Sequence, residues 1–435
     1  MLEIIFTGLR KGGHFDLEAV EMAVRAASHQ LGAKILEQLL SAPANLEHEV
    51  PCRCGQQARF RQMRPKGVVT VLGPITIQRP YYVCPACGSG QSPRDAELDV
   101  QATEYSPGVR RMLAVVGGEM SFDKGRTQLE LLAGLEVTTK AVERQAEAIG
   151  ADIAQTEQAK VDGVIQLELP QILGPAVPIL YIEIDGTQVP IVRRELEGRA
   201  GRAEGQPART REVKLGCSFT QTTTDEEGRP VRDEASTTYV GAIETAEAFG
   251  PRIYTEAWER GWSRAGKKVI IGDGAEWIWN IADRHFPGAV QIVDLYHARQ
   301  HLWELSRALH PNEEDQQKRW MRRHQPLLDS GRIEKLVGAL RSIHTDHSEV
   351  AEKIRLEADY FESNAPRMRY PEFRRQGLFV GSGVIEAGCK TVIGARLKQS
   401  GMFWTVAGAN SIIALRCNQL SGKFEDYWAS RSRVA

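Results

Sequence analysis

Apolar residues recur at helical spacing from Asp16 to Leu40. Leu17, Val20, Val24, Ala27, Leu31 and Ile35 fall along one stripe and predict an amphipathic helix that packs through it. Between Cys52 and Cys87 the period changes to that of a strand. Val69, Val71, Ile75 and Ile77 alternate around Gly73-Pro74, which predicts a short hairpin with the cysteine pairs at its ends. Helical spacing returns from about Ser106 to Gln158. Within it, Leu129, Leu132 and Ala133 close one helix, Gly134 to Val137 form a turn, and Thr138 or Thr139 caps the next helix with Val142 inward. This is a helix-turn-helix pattern that would turn Thr139, Lys140, Glu143 and Arg144 outward.

Pro170 to Pro178 marks a boundary. Beyond it, Ile179 to Ile182, Val213 to Thr220, Ala235 to Ala242, Lys267 to Ile271 and Val290 to Val293 read as strands, and Ala246 to Arg260 as a helix. Strands, a helix and more strands imply an α/β layered core. From about Pro311 to Pro366 the chain is helical and strongly charged, and it is helical again after Gly383. The expected organisation is therefore an N-terminal helix over 1–45, a hairpin segment over 46–100, a helical region over 101–165 and an α/β domain over 175–435 with a helical insertion at about 311–370.

Composition changes this picture little. The chain has 435 residues, 42 % hydrophobic and 26 % charged, which is ordinary for a globular protein able to build a sizeable core. A net charge of -1 does not announce a nucleic-acid partner, so any DNA contact must rest on local basic patches. No apolar run approaches the ~18 residues of a membrane span, and Met1 to Arg10 lack the apolar segment and cleavage site of a signal peptide. A cytoplasmic location, at the nucleoid, is expected. Seven cysteines is an odd number, and four of them lie in close pairs, which in a cytosolic chain favours a metal over disulfides. Cys52-Arg-Cys54 and Cys84-Pro-Ala-Cys87 offer four thiolates for tetrahedral Zn²⁺, and two knuckles joined by a hairpin would make a zinc ribbon. The first pair has one intervening residue where such knuckles more often have two. Cys217, Cys389 and Cys417 sit in apolar or helical surroundings and read as structural.

Three acidic residues carry the candidate chemistry. The apolar run Ile179-Leu-Tyr-Ile-Glu-Ile ends in Asp185-Gly186, and Lys267-Lys-Val-Ile-Ile-Gly ends in Asp273-Gly274. A carboxylate at the end of a buried strand is held rigidly, as a hard cation such as Mg²⁺ requires. Glu183 points to the same face as Asp185. The third acid is Glu386 in Gly381-Ser-Gly-Val-Ile-Glu386, where Ser382 is placed to cap a helix. Asp185, Asp273 and Glu386 together would hold two Mg²⁺, or Mn²⁺, for in-line displacement at a phosphodiester. Cations to grip a DNA backbone follow in Lys390, Arg396, Lys398 and Arg416, and the loop from Arg193 to Lys214 brings seven basic residues against four acidic ones.

The run from Gly272 to Ala289, continued by Val293-Asp-Leu-Tyr-His297, and the run from Gly383 to Asn410 resemble bacterial insertion-sequence transposases of the Kra type, relatives of the Mutator-like transposases. The resemblance extends from about Leu46 to Trp428. It implies an RNase H-like catalytic core with a triad at Asp185, Asp273 and Glu386 and a helical insertion before the glutamate. Mutator-like enzymes also carry a C/D-x-x-H motif after the second aspartate, which Asp294-Leu-Tyr-His297 fits, and the resemblance implies that His297 is a catalytic-site residue that orients DNA or the scissile phosphate. The implied activity is cleavage of transposon ends and their transfer into target DNA. The implied partners are DNA, at terminal inverted repeats and at the target, and further copies of the same chain.

Two rival readings remain open at this level. A catalytically inactive, transposase-derived DNA-binding protein would keep the cysteine pairs and the helix-turn-helix, but the presence of all three acids argues against decay. A two-carboxylate glycosidase would place aromatic platforms near its acids, and Trp277 and Trp279 leave room for it.

Overall fold

A computed structural model describes residues 10–11, 14–41, 47–169, 171, 173–201 and 207–431. The chain divides into two compact units, 1–149 with 425–435 and 150–424. Residues 202–206 of the basic loop lie outside the described residues.

In the first unit a short antiparallel pair, Arg10–Lys11 with His14–Phe15, precedes helix α1 (Leu17–Ser41), and an antiparallel sheet follows in the order β1 (Glu49–Pro51), β2 (Gln57–Thr70), β3 (Gly73–Val83) and β4 (Gly90–Gln91). The β2–β3 hairpin is longer than its apolar pattern suggested, because polar residues on both strands continue the ladder from Thr70–Gly73 back to Arg59–Val83. Its inward set is Val68, Thr70, Ile75 and Ile77, so on β2 the buried valine is Val68 rather than Val69.

The α1 stripe corrects an expectation. Leu17, Val24 and Leu31 are 70 %, 61 % and 64 % exposed. The helix instead packs on the hairpin through Ala33, Leu36 and Leu40. The reason is steric: a Cβ at Gly32 would lie 3.1 Å from Leu72 Cδ1, so small residues at 32 and 33 mark the face where helix and hairpin approach closely. Close approach outweighs the larger apolar area of the other face.

Three helices follow. Ser106 caps α2 (Pro107–Glu119) by accepting from Val109 N, with proline at the first helical position. α3 (Phe122–Ala133) stops at Gly134, whose φ of +66° is left-handed. Thr138 Oγ1 then accepts from Ala141 N at 3.1 Å and opens α4 (Thr139–Ile165), within which the division between the two units falls. Val109, Leu113, Leu129, Leu135 and Val142 form their common core.

The second unit is built on a five-stranded mixed sheet in the order β7-β6-β5-β8-β9. β5 (Val177–Pro190), β6 (Thr210–Gln221) and β7 (Thr238–Ala242) run antiparallel in succession, while β8 (Ala265–Gly272) and β9 (Val290–Val293) run parallel to β5. β5 is buried without interruption from Leu180 to Ile184, as a central strand covered on both faces must be. The helices are α5 (Ala246–Glu259), α6 (Glu276–His285), α7 (Leu295–Leu309), α8 (Glu314–Asp329), α9 (Ile333–Arg341), α10 (Ser348–Ser363), α11 (Gly383–Gly388) and the nearly wholly buried α12 (Val406–Leu420).

After α11 the chain continues through a π-helical turn, Cys389–Gly394. Such a turn leaves carbonyls without their usual helical partners. Arg416 of α12 supplies them: its Nε donates to Val392 O at 2.7 Å and its Nη2 to Thr391 O. Arg416 is only 3 % exposed, so it fastens the core instead of gripping DNA.

Candidate active site and candidate metal centre

In the first unit, the open end of the hairpin brings the four expected cysteines together. The Sγ atoms of Cys52, Cys54, Cys84 and Cys87 all lie within 4.8 Å of one another. Cys52 is 3.7 Å from Cys87 and Cys54 is 3.6 Å from Cys84. Four sulfurs about 2.3 Å from one tetrahedral Zn²⁺ would be separated by about 3.8 Å, so the set fits zinc. The shorter first pair closes as well as the second because both knuckles turn alike. Gly55 N donates to Cys52 O and Gly88 N donates to Cys84 O, each at 2.9 Å. Each glycine directly follows the second cysteine of its pair and sits at a positive φ, +83° and +72°.

The thiols are electrostatically divided. Hydrogen bonds from the Ser89 hydroxyl, foremost, and from its backbone hold Cys87 down at about 6. The Cys54 backbone N–H and then Ser89 lower Cys52. At Cys54 the N–H of Gln56 pulls downward, but the crowding of Cys87, Cys52 and Cys84 drives the thiol up to about 12. Four sulfurs this close cannot all ionise without a cation among them.

The second unit holds the acids. Ile271 of β8 lies opposite Glu183 of β5, and Asp273 and Asp185 each follow two residues later, Asp273 just past the end of β8 and Asp185 within β5, which runs on to Pro190 where the sequence suggests a turn at Gly186. Asp185 Oδ1 accepts from Gly186 N at 2.7 Å and Oδ2 from the Cys389 thiol at 3.3 Å. Asp273 Oδ1 accepts from Ala275 N at 2.9 Å and thereby opens α6. Burial, with the like charge of Asp273 nearby, raises the Asp185 carboxyl above its ordinary range. Hard, partly desolvated oxygens held on and beside rigid strands fit a divalent cation.

Glu386 is exposed, in the first turn of α11. Two buried carboxylates tie down the start of that helix. Glu183 Oε2 accepts from Ile385 N at 2.8 Å. Asp294 is fully buried and joins two helix ends: its Oδ1 accepts from Tyr296 N and His297 N, and its Oδ2 from Ser382 N at 2.6 Å and from the Ser382 hydroxyl. Ser382 therefore stands at the cap position of α11, but its hydroxyl goes to Asp294 and not to the helix. Burial pushes Glu183 up to about 8. Glu183 and Glu386 share the lining of a cleft of about 930 Å³ with Tyr296, Phe379 and Val384. Among the described residues the three acids do not gather as the cysteines do, since no group of three or more acidic or histidine side chains brings its ligand atoms all within 4.8 Å of one another.

The remaining expected residues divide. Lys390 and Lys398 are exposed, and Lys398 donates to Thr187 Oγ1, two residues beyond Asp185. Lys214 and Arg396 correct the expectation of DNA contact. Lys214 is 7 % exposed, pairs with Glu212 at 2.7 Å and lies 4.1 Å from the Trp277 ring centre. Arg396 is fully buried over Trp404, 4.9 Å from the ring centre, with its Nη1 3.6 Å from Met402 Sδ. Neither side chain reaches the surface that a phosphate would touch. Trp277 is occupied by Lys214 and Trp279 is buried beneath Arg367, so neither is an open sugar platform. In the first unit Lys140 and Arg144 are exposed on the first turns of α4, beside a cleft of about 540 Å³ also lined by Lys66 and Thr103.

Residues 10–202 match the model of an uncharacterised protein family, UPF0236. That match contains the four cysteines and Asp185 but stops before Asp273 and Glu386. No curated protein matches the chain. Among solved structures, the Drosophila P element transposase strand transfer complex aligns with 10 % identity and a TM-score of 0.25, over 78 % of this chain and 84 % of that one. Function is therefore read from the side chains.

Sequence reasoning missed three features. Cys389 was expected to be structural, yet its thiol meets Asp185; its position three residues after Glu386 was the available signal. The role of Asp294 as a tie between α7 and α11, and that of Arg416 at the π-turn, had no local signal. Among the described residues no helix is long and apolar enough to cross a membrane.

Proposed function

We propose that this chain is a DNA transposase with an RNase H-like core, cutting transposon ends and joining them to target DNA, with Asp185, Asp273 and Glu386 as its metal-binding acids. The observation that carries the reading is the pair of aspartates on adjacent parallel strands of a mixed sheet, Asp185 within β5 and Asp273 directly after β8, with the helix of Glu386 hydrogen-bonded to Glu183 on the same strand as Asp185. Mg²⁺ or Mn²⁺ held there would supply a nucleophile at neutral pH and charge neutralisation at the phosphodiester. The chain's own part is positional. Gly186 N–H and the Cys389 thiol orient Asp185, Ala275 N–H orients Asp273, and Asp294 fixes the helix ends that bear His297 and Glu386. Lys390 and Lys398, exposed shortly after Glu386 in the chain, would meet phosphates, and Lys140 and Arg144 on α4 a specific DNA end. Zinc in the four thiolates would stiffen the hairpin. Handling two DNA ends requires further copies of the chain.

The test is a nicking and strand-transfer assay with full-length protein, Mg²⁺ or Mn²⁺, and plasmid carrying the element's ends. Asp273→Asn is expected to lower activity roughly 10³-fold or more while leaving DNA binding intact. Activity near that of the parent protein would refute the triad. The second reading, a DNA-binding protein without catalysis, draws on the open spacing of the three acids. It predicts DNA binding indifferent to divalent ions and no nicking with either one.

A further inference from the structure

His297 and His301 lie one helical turn apart on α7 and face the same way. Their Nε2 atoms are 3.3 Å apart, and the ring planes stand 76° to each other. The buried Glu357 of α10 holds His301 Nδ1 at 2.7 Å, and Tyr360 stacks on the same ring with centroids 4.0 Å apart. Tyr360 in turn donates its hydroxyl to Asp273 O at 2.9 Å. A carboxylate on Nδ1 fixes the proton there and leaves the Nε2 lone pair of His301 free, aimed at His297.

Two features set this pair apart from a chance contact. Ligand nitrogens 2.0–2.1 Å from one tetrahedral ion are about 3.3–3.4 Å apart, which is the spacing between these two atoms. And a carboxylate on the far nitrogen is the arrangement that orients a metal-bound histidine and raises its basicity. We propose that His297 and His301 form a ligand pair for a divalent transition ion of the zinc, cobalt and nickel class, with Glu357 as the orienting carboxylate. Imidazole nitrogen selects such ions over Mg²⁺. With two protein ligands the shell stays open, and its other positions fall to water or to an anionic oxygen such as a phosphate. The contacts from His301 through Tyr360 to Asp273 join this pair to the carboxylate site. The inference holds whether or not the chain cuts DNA.

Full-length protein, its thiolate cluster loaded with zinc, is titrated with Ni²⁺ by calorimetry. The parent is expected to take up one Ni²⁺, His297→Ala and His301→Ala to weaken that binding at least tenfold, and Glu357→Gln to weaken it about tenfold. Identical Ni²⁺ uptake by the parent and the two histidine variants, or none by the parent, overturns the proposal and points to a plain imidazole–imidazole hydrogen bond. His297→Ala leaves the Glu357–His301–Tyr360 stack in place and decides the question even if His301→Ala fails to fold. Because binding alone is read, an inactive transposase that still binds Ni²⁺ separates this proposal from the preceding one.

Discussion

The cysteine cluster and the acid site are built in opposite ways. The thiols come from two ends of one hairpin, each on a turn of a few residues, and their sulfurs already stand at the spacing of a shared ion. The acids come from the middle of one strand, the residue after another and a helix more than 100 residues further on, and they lie in a looser arrangement. What holds the acid site is a surrounding set of ties: Glu183, Asp294 and Cys389, each bonded at a point where the chain returns from far away, with Arg416 securing the π-turn that follows α11. A site made locally needs little support and is closed. A site made by distant segments depends on buried polar ties, and it stays open enough for a substrate.

The sharpest way to break this comparison is to remove the metal from the local site. Cys84→Ser, or a strong chelator, is expected to abolish zinc binding and melt the open end of the β2–β3 hairpin. Apparent metal-binding energies of such sites are on the order of 10 kcal/mol. Metal content together with amide exchange over Cys52 to Val83 checks it; unchanged protection after zinc loss would mean that the hairpin stands without its ion.

A smaller effect is expected at the tie between helices. Asp294→Asn replaces an oxygen that accepts from Ser382 by an amide that must confront the same donors, or else sets that amide against Tyr296 and His297. A loss of about 2–4 kcal/mol is expected in denaturant unfolding of the full chain, since a buried charged acceptor of four hydrogen bonds is being lost. A cost below about 1 kcal/mol would show that α7 and α11 need no shared carboxylate.

A third outcome concerns pH and tests polar burial away from both sites. Burial, with Glu256 close by, pushes Glu157 of α4 up to about 7 from an ordinary 4.5. The folded state thus binds this proton more tightly than the unfolded chain does. The stability it contributes is full below about 4.5 and is lost as pH rises through about 7. Glu157→Gln is expected to flatten the stability profile across that window by up to about one proton. An unchanged slope between the variants would assign the pH dependence to other groups.

The smallest effect is expected on the exposed stripe of α1. Leu31→Asp should change stability by less than about 0.5 kcal/mol, whereas Leu36→Asp, on the face packed against the hairpin, should cost about 2 kcal/mol or more. Equal costs at the two positions would mean that the stripe is covered in solution.

The sequence made the elements legible wherever burial has one period. The β5 and β8 runs, the α3–α4 turn at Gly134 and the cysteine pairs all follow from residues that are neighbours in the chain. Asp185 and Asp273 were visible for the same reason, since each ends an apolar run before a glycine. Helix faces were less legible. The α1 stripe was chosen by apolar area, while the fold chose the face with Gly32 and Ala33. Basic residues were least legible of all. Arg396, Arg416 and Lys214 read as cations for DNA because charge is ordinarily solvated, yet the first lies over Trp404, the second serves a π-turn and the third lies over Trp277.

The chain order thus determined the hairpin with its four thiols, the strands, and two aspartates each closing an apolar run, because each is a short-range consequence of side-chain alternation and turn chemistry. Tertiary structure alone decided which face of α1 packs, which cations are buried, and how Glu386 is presented, because these depend on packing partners, from the hairpin under α1 to Asp294 and Glu183 behind α11, whose approach no local pattern encodes. The same holds for the facing imidazoles. Their spacing along α7 is written in the sequence, but Glu357 and Tyr360, which lock the ring of His301, arrive only when α10 packs against that helix.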